Sequence, residues 1–223
     1  MESKNPLRHI LALVMAIIPL MYIALQWNTL PATVAIHFDI HGQPDDFGSK
    51  KEMLLMAVFL SVISLIAYIV VINAHKLDKK RTKGLKPVMF DTIALATVLF
   101  ISILNITIII NSINPGVVLL DKVVIPVIGL FFIFMGNVMY NIKPNRFVGI
   151  RVPWTLNNDE NWKHTHRLGS KLFFVGGILI TLVSLGYEVE VSTIFMTGVV
   201  LIITITTVMY SYLYHRKSQN NNA

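Results

Sequence analysis

Three sets of residues in this sequence could do chemistry. The first is His37, Asp39 and His41, within "VAIHFDIHGQPDDFG". At period two on an extended chain these side chains point the same way, so H-x-D-x-H offers two imidazoles and a carboxylate to a divalent ion. No fourth ligand is evident, and any exposed strand face presents side chains at this spacing. A solvated, hydrogen-bonded face is therefore the favoured reading, with no metal. The second set is His164 and His166 beside Asp159 and Glu160, which could be drawn as a general base and its orienting carboxylate. They read better as one helix surface: Asn158 is placed to cap the helix, Asp159 and Glu160 suit the positive end of its dipole, and Asp159 with Lys163 makes an i,i+4 pair. The third set is Arg151, Trp154, Trp162 and Arg167, residue types that carry much of the binding energy at protein interfaces. Trp162 and His166 share one helix face, and Trp154 precedes them across a loop that Pro153 keeps out of helix. Such residues serve either as an anchor in the headgroup layer or as a platform for a partner. Cysteine is absent, and neither G-x-S-x-G nor H-E-x-x-H occurs, so no nucleophile or zinc site is marked. The sequence reads as no enzyme, with no catalytic residues and no cofactor.

The elements that must position these residues are membrane helices. The 223 residues are 54% hydrophobic and 14% charged, and the mean hydropathy is +0.64, too apolar for a soluble domain. Six segments are long and apolar enough to span a bilayer, at 10–27, 53–73, 90–111, 123–140, 172–187 and 193–214. The fold class expected is an all-α polytopic membrane protein with six transmembrane helices and a short extended segment in the first outer loop. The first span reads as retained, because no small-residue cleavage signature follows it. Pro126 and Gly129 are expected to kink or thin the fourth span, and Gly176 and Gly177 to admit a close neighbour to the fifth. Asn105 and Asn137 read as helix–helix hydrogen-bonding groups. No ionisable residue is placed at mid-depth and no internal repeat is visible, which disfavours a transporter.

Charge orients the bundle. Sixteen Lys and Arg fall on one side: Lys4, Arg8, Lys76, Lys79, Lys80, Arg81, Lys83, Lys86, Lys143, Arg146, Arg151, Lys163, Arg167, Lys171, Arg216 and Lys217. Only Lys50, Lys51 and Lys122 fall on the other. The positive-inside rule then predicts that both termini and the loop 143–171 are cytoplasmic. The formal charge of +7 serves orientation and anionic headgroups, and direct nucleic-acid binding is not expected. Trp27, Tyr140, Tyr187, Tyr210, Tyr212 and Tyr214 stand at span ends, as in an interfacial belt.

The stretch "KPNRFVGIRVPWTLNNDENWKHTHRLG" resembles the signature of the SdpI-like immunity family. The resemblance carries over Lys143, Pro144, Asn145, Gly149, Ile150, Arg151, Pro153, Trp154, Thr155, Trp162, Thr165, His166 and Arg167, with Val152 standing where threonine is usual. "LPATVAIHFDIHGQPDDFGSK" looks like the uncharacterised two-span module often fused ahead of that family, matching at Pro31, His37, Phe38, Gly42 and Lys50. The domains implied are a two-span module over 1–89, with outer loop 28–52, and a four-span SdpI-like module over 90–223, with cytoplasmic loop 143–171. The resemblance implies a multi-pass protein of the bacterial cytoplasmic membrane, in contact with lipids, that protects its host from a secreted, membrane-active peptide toxin. It also implies a possible second partner, a small cytoplasmic repressor held at the membrane. The alternatives are a small-solute or lipid transporter, or an enzyme acting on lipid headgroups.

Overall fold

The computed structural model describes residues 6–39, 41–77, 87–114 and 120–220. Lys4, Lys79, Lys80, Arg81, Lys83 and Lys86, used above, lie outside them.

Six long helices carry the fold. α1 (Pro6–Gln26) leads through a hairpin of β1 (Thr33–Phe38) and β2 (Pro44–Ser49) into α2 (Lys50–Ile72), and the one-turn α3 (Ala74–Leu77) follows. α4 (Pro87–Ile113) and a π-helical turn (Leu120–Val124) lead to α5 (Ile125–Met139). The short α6 (Pro153–Leu156), then α7 (Asp159–Gly186) and α8 (Val189–Asn220), complete the chain. All six long segments are apolar enough to cross a bilayer, as expected from the sequence.

The starts of these helices follow local chemistry. Ser49 Oγ accepts from Glu52 N at 3.3 Å while Glu52 Oε2 accepts from Ser49 N at 2.6 Å, a capping box that begins α2 as the chain leaves the hairpin. Asn158 Oδ1 accepts from Asn161 N at 2.9 Å and caps α7, with Asp159 and Glu160 in its first turn. Glu160, and not Asp159, takes Lys163, at 3.5 Å. The fifth span and the amphipathic segment before it form a single helix, because nothing between His166 and Leu172 stops the run. At 28 residues, α7 is ~42 Å long at 1.5 Å per residue, longer than the hydrocarbon core requires. Pro126 lies in the first turn of α5, directly after the π-helical turn. The irregularity expected inside that span thus falls at its start, where a missing N–H costs no helical bond.

Packing groups the helices in threes. α4 packs on α1 and α2, whereas α5 packs on α7 and α7 on α8. In the first group Ala12, Ala16, Ala94 and Val98 let the helices approach, and Asn105 Nδ2 donates to Ala57 O at 3.0 Å, the interhelical role expected of it. Arg8 and Asp91 form an ion pair between α1 and α4. In the second group Gly129 and Gly177 face each other so closely that a Cβ on Gly177 would stand 2.5 Å from Gly129 O. No larger residue fits that crossing. Asn137 differs from expectation, since its side chain is exposed and makes no hydrogen bond among the described residues. Outward faces are apolar, with Leu25 82% and Ile194 74% exposed, as helix surfaces bathed in lipid must be.

Candidate functional site

The 141–171 segment folds around Asn145, whose side chain is fully buried. Its Oδ1 accepts from Phe147 N and Val148 N, each at 2.8 Å, and its Nδ2 donates to Lys143 O at 3.0 Å and Val148 O at 3.1 Å. All four hydrogen bonds open to an amide are made within the turn, so the turn needs no outside partner. Gly149 follows with φ +121°, and a Cβ there would sit 2.3 Å from His166 Nε2. Only glycine satisfies both the backbone and the space.

That contact exists because Ile150 N donates to His166 Nε2 at 2.9 Å, while His166 Nδ1 donates to Trp162 O at 2.8 Å. Both ring nitrogens are therefore used, and the pairing fixes the neutral Nδ1–H tautomer. Trp162 stacks on His166 with centroids 3.9 Å apart and donates Nε1–H to Ile142 O at 2.9 Å. Trp162, Phe90, Ile93, Ala74, Met139, Ile142 and Val148 make one apolar cluster, tying the loop to α3 and to the ends of α4 and α5. Thr155 Oγ lies 2.9 Å from Ile150 O and accepts from Val152 N at 3.1 Å, closing the turn into α6.

α8 is tied to the loop through Ser211. Its carbonyl accepts from Asn161 Nδ2 at 2.9 Å, its hydroxyl accepts from Trp154 Nε1 at 2.5 Å, and Thr165 Oγ in turn donates to Asn161 Oδ1 at 2.9 Å. Trp154 also packs edge-on to Tyr212 at 5.5 Å.

The residues singled out in sequence thus divide into two kinds. Asn145, Thr155, Trp162, Thr165 and His166 are buried, and Gly149 and Trp154 are partly so. Lys143, Arg151, Pro153 and Arg167 are exposed. Trp162 and His166 do share a face, but it turns inward, so neither can touch a partner as a surface platform would. Arg151 donates to Arg146 O at 2.7 Å and leaves most of its fork free, and Arg167 lies 5.7 Å from the Tyr140 ring centroid. His164 points away from His166, stacking on Tyr214 at 5.1 Å with Glu160 at 3.6 Å. His164 and Glu160 thus form an i,i+4 pair on the helix surface, while His166 is held by Ile150 N and Trp162 O, so the two histidines do not share one site. Asn161 and Ser211 were not singled out. Asn161 lay inside the signature and passed for an ordinary polar helix residue, and Ser211 sits in an apolar run that gives no signal.

At the opposite end, β1 and β2 pair antiparallel, with Val34 opposite Gly48 and His37 opposite Asp46. The second strand, "PDDFGS", reads as turn in sequence and becomes strand only through that pairing. The weak metal candidates do not converge. His37 Nδ1 meets Asp45 at 2.5 Å, His41 Nδ1 meets Glu190 of α8 at 3.0 Å, and Asp39 Oδ1 accepts from His41 N and Gln43 N at 2.8 Å each. Among the described residues no group of three His, Cys, Asp or Glu is arranged to hold a metal. Gly42 takes φ +74° in this turn, and Phe38 closes β1 half-buried, opposite Pro44. Lys50 Nζ donates to Trp27 O at 3.0 Å and lies over that indole, joining the hairpin to the end of α1, while Pro31 is exposed in the turn before β1.

Six apolar helices and a loop folded on its own buried amides define a multi-pass membrane protein of the helical-bundle class. Residues 141–211 match the SdpI/YfhL protein family, and residues 14–70 match a domain of unknown function, DUF1648. The chain is 33% identical over 90 residues to Immunity protein SdpI of Bacillus subtilis (strain 168), covering 40% of this chain and 43% of that protein. It is 38% identical over 50 residues to an uncharacterized protein of Archaeoglobus fulgidus, covering 22% of this chain and 27% of that one. The matched stretches thus span under half the length of either relative. No solved structure matches the chain. These likenesses cover residues 141–211 and 14–70, and for those two stretches they show similarity to the SdpI/YfhL family and to DUF1648 respectively.

Proposed function

We propose that this is an immunity protein of the cytoplasmic membrane that protects its host against a secreted, membrane-active peptide. The carrying observation is the likeness of residues 141–211 to the SdpI/YfhL family, in the region where the loop's buried scaffold is built. The role is binding, not catalysis. The peptide would meet the hairpin end, where an apolar cleft of about 370 Å³ opens between Phe38, Met56, Ile128 and Met196 beneath His37 and Asp39. The exposed basic rim of Lys143, Arg151 and Arg167, at the other end, is suited to a second, cytoplasmic partner such as a repressor. This assignment of ends follows the charge split, which puts the rim inside and the hairpin outside. We read residues 1–89 as the two-span module and 90–223 as the four-span one. α4, which packs on α1 and α2, would then be the seam between them.

The test is survival. A sensitive bacterium expressing the protein should withstand membrane-active peptides from the same genus, and unchanged killing at verified abundance refutes the proposal. Reporter fusions after positions 45 and 85 should read outside and inside, and the reverse overturns the assignment of ends.

A further inference from the structure

A lateral cleft of about 390 Å³ lies between α5 and α7 at the loop end, lined by Gly136, Asn137, Tyr140, Asn141, Lys171 and Phe174 among others. We infer that it holds the phosphodiester headgroup of an anionic phospholipid as a bound ligand, beyond the bulk lipid contact of any membrane helix.

Depth is the first argument. Asn137 stands two residues before the end of α5, and Lys171 immediately precedes the apolar run that begins at Leu172, so the polar groups lie where span meets loop. That is the level of lipid phosphates. The second argument is shape. The helices are in backbone contact at Gly136, where an added Cβ would stand 2.6 Å from Phe174 N and 2.7 Å from Ser170 O. The glycine brings the two backbones together, so the groove beside it is closed at its floor and walled by Asn137 and Tyr140 on one side and Lys171 and Phe174 on the other. The third is unmet polarity. Lys171 is exposed and, among the described residues, has neither an acidic partner nor a hydrogen bond. Asn137 is likewise exposed and unpaired, although an amide at this depth strongly favours a partner. The guanidinium of Arg167, held over the Tyr140 ring, adds a second cation one helical turn from Lys171. Of the two acids in the first turn of α7, Glu160 is engaged by Lys163 and His164, and Asp159 stands about three helical turns from Lys171. One ammonium, two amides and a nearby guanidinium suit a phosphate, and Phe174, 43% exposed, gives the attached acyl chain a surface to follow. Basic clefts between membrane helices are known to take such headgroups.

The experiment is native mass spectrometry of the detergent-purified, delipidated full chain titrated with phosphatidylglycerol or phosphatidylcholine. Phosphatidylglycerol should be retained as one preferred adduct, at roughly fivefold lower concentration than phosphatidylcholine. Lys171→Gln should remove that preference, Asn137→Leu should weaken it, and Lys163→Gln, on the same helix but paired with Glu160, should leave it intact. Equal retention of the two lipids by the wild type, or a preference surviving in both Lys171→Gln and Asn137→Leu, overturns the inference. Displacement of the lipid by millimolar glycerol phosphate as readily as by phosphatidylglycerol would also overturn it, marking a site for free anions. Helicity measured by circular dichroism guards against misfolding of the Lys171 variant. Should that variant misfold, the Asn137 variant decides.

Discussion

The two ends of the bundle spend their polar residues differently. At the loop end Asn145, Thr155, Asn161, Thr165 and His166 are buried and satisfy one another and the backbone, while the cations are left at the rim. At the hairpin end the polar groups are mostly exposed and each has its own separate partner, with His37 on Asp45, His41 on Glu190 of α8 and Asp39 on its own turn. Burial is the difference that matters. A buried network is disrupted by the loss of any member, because its partners are stranded away from water, whereas an exposed pair gives its partners back to solvent at little cost. The loop end should therefore behave as a rigid mount that presents a few interchangeable surface cations. At the hairpin end Val34 is buried among residues of α1, α2 and α4, so only the exposed polar turn should yield separately.

The sharpest break would come at Trp162. Trp162→Ala empties the centre of the cluster, removes the stack on His166 and strands Ile142 O, and should cost about 3–5 kcal/mol. Denaturation in detergent would read it as a large drop in stability with low abundance in the membrane. A variant of normal stability that fails to protect would make Trp162 a contact residue and erase the distinction between mount and rim.

Gly149→Ala comes next. The left-handed φ and the approach to His166 Nε2 act together, so the loss should be about 2–3 kcal/mol. His166→Ala removes the obstruction and leaves the φ cost. The double variant should therefore lose less than the sum of the singles, and strict additivity would show that the two residues do not meet.

At the rim the expectation reverses. Arg151→Lys should leave stability within about 0.5 kcal/mol yet weaken capture of a cytoplasmic partner by about 2 kcal/mol, roughly thirtyfold, because lysine cannot reproduce the planar fork. Trp154→Tyr should behave otherwise, since it loses the bond to Ser211 Oγ and loosens the loop from α8. It should therefore lower stability as well as binding. Full protection by both variants at normal abundance would make the loop an anchor in the headgroup layer.

How much of this was legible in the sequence depends on whether a residue's role is local. The six spans, the Asn158 cap and the hydrogen-bonding role of Asn105 depend on hydropathy and near neighbours, and each could be read directly. Trp162 and His166 were correctly put on one face, but periodicity gives only that they face together, not which way. Inward burial was decided by Phe90 and Ala74, far away in sequence. Ser211 and Glu190 are the same case: each becomes important through a partner 50 residues or more distant. The strand at Pro44–Ser49 was hidden because its composition favours turns and its pairing with β1 overrides that composition.

The smallest effect expected, at Asp39, separates the hairpin's turn chemistry from metal chemistry. Asp39 Oδ1 receives two backbone N–H bonds across the turn that contains Gly42. Asp39→Ala removes both and should cost about 1 kcal/mol. The loss should appear as faster amide exchange confined to the turn between β1 and β2, with the global melting transition unmoved, because the exposed turn can yield while Val34 stays in the bundle core. Asp39→Asn is the informative partner. An amide oxygen accepts the same two bonds, so it should restore exchange to the wild-type pattern, but an uncharged amide is a much poorer ligand for a divalent ion than a carboxylate. Chelator should change nothing in either background. If instead asparagine fails as badly as alanine, and purified protein carries stoichiometric zinc that His37→Ala loses, then His37, Asp39 and His41 do converge on a metal. The hairpin end would then be as tightly organised as the loop end.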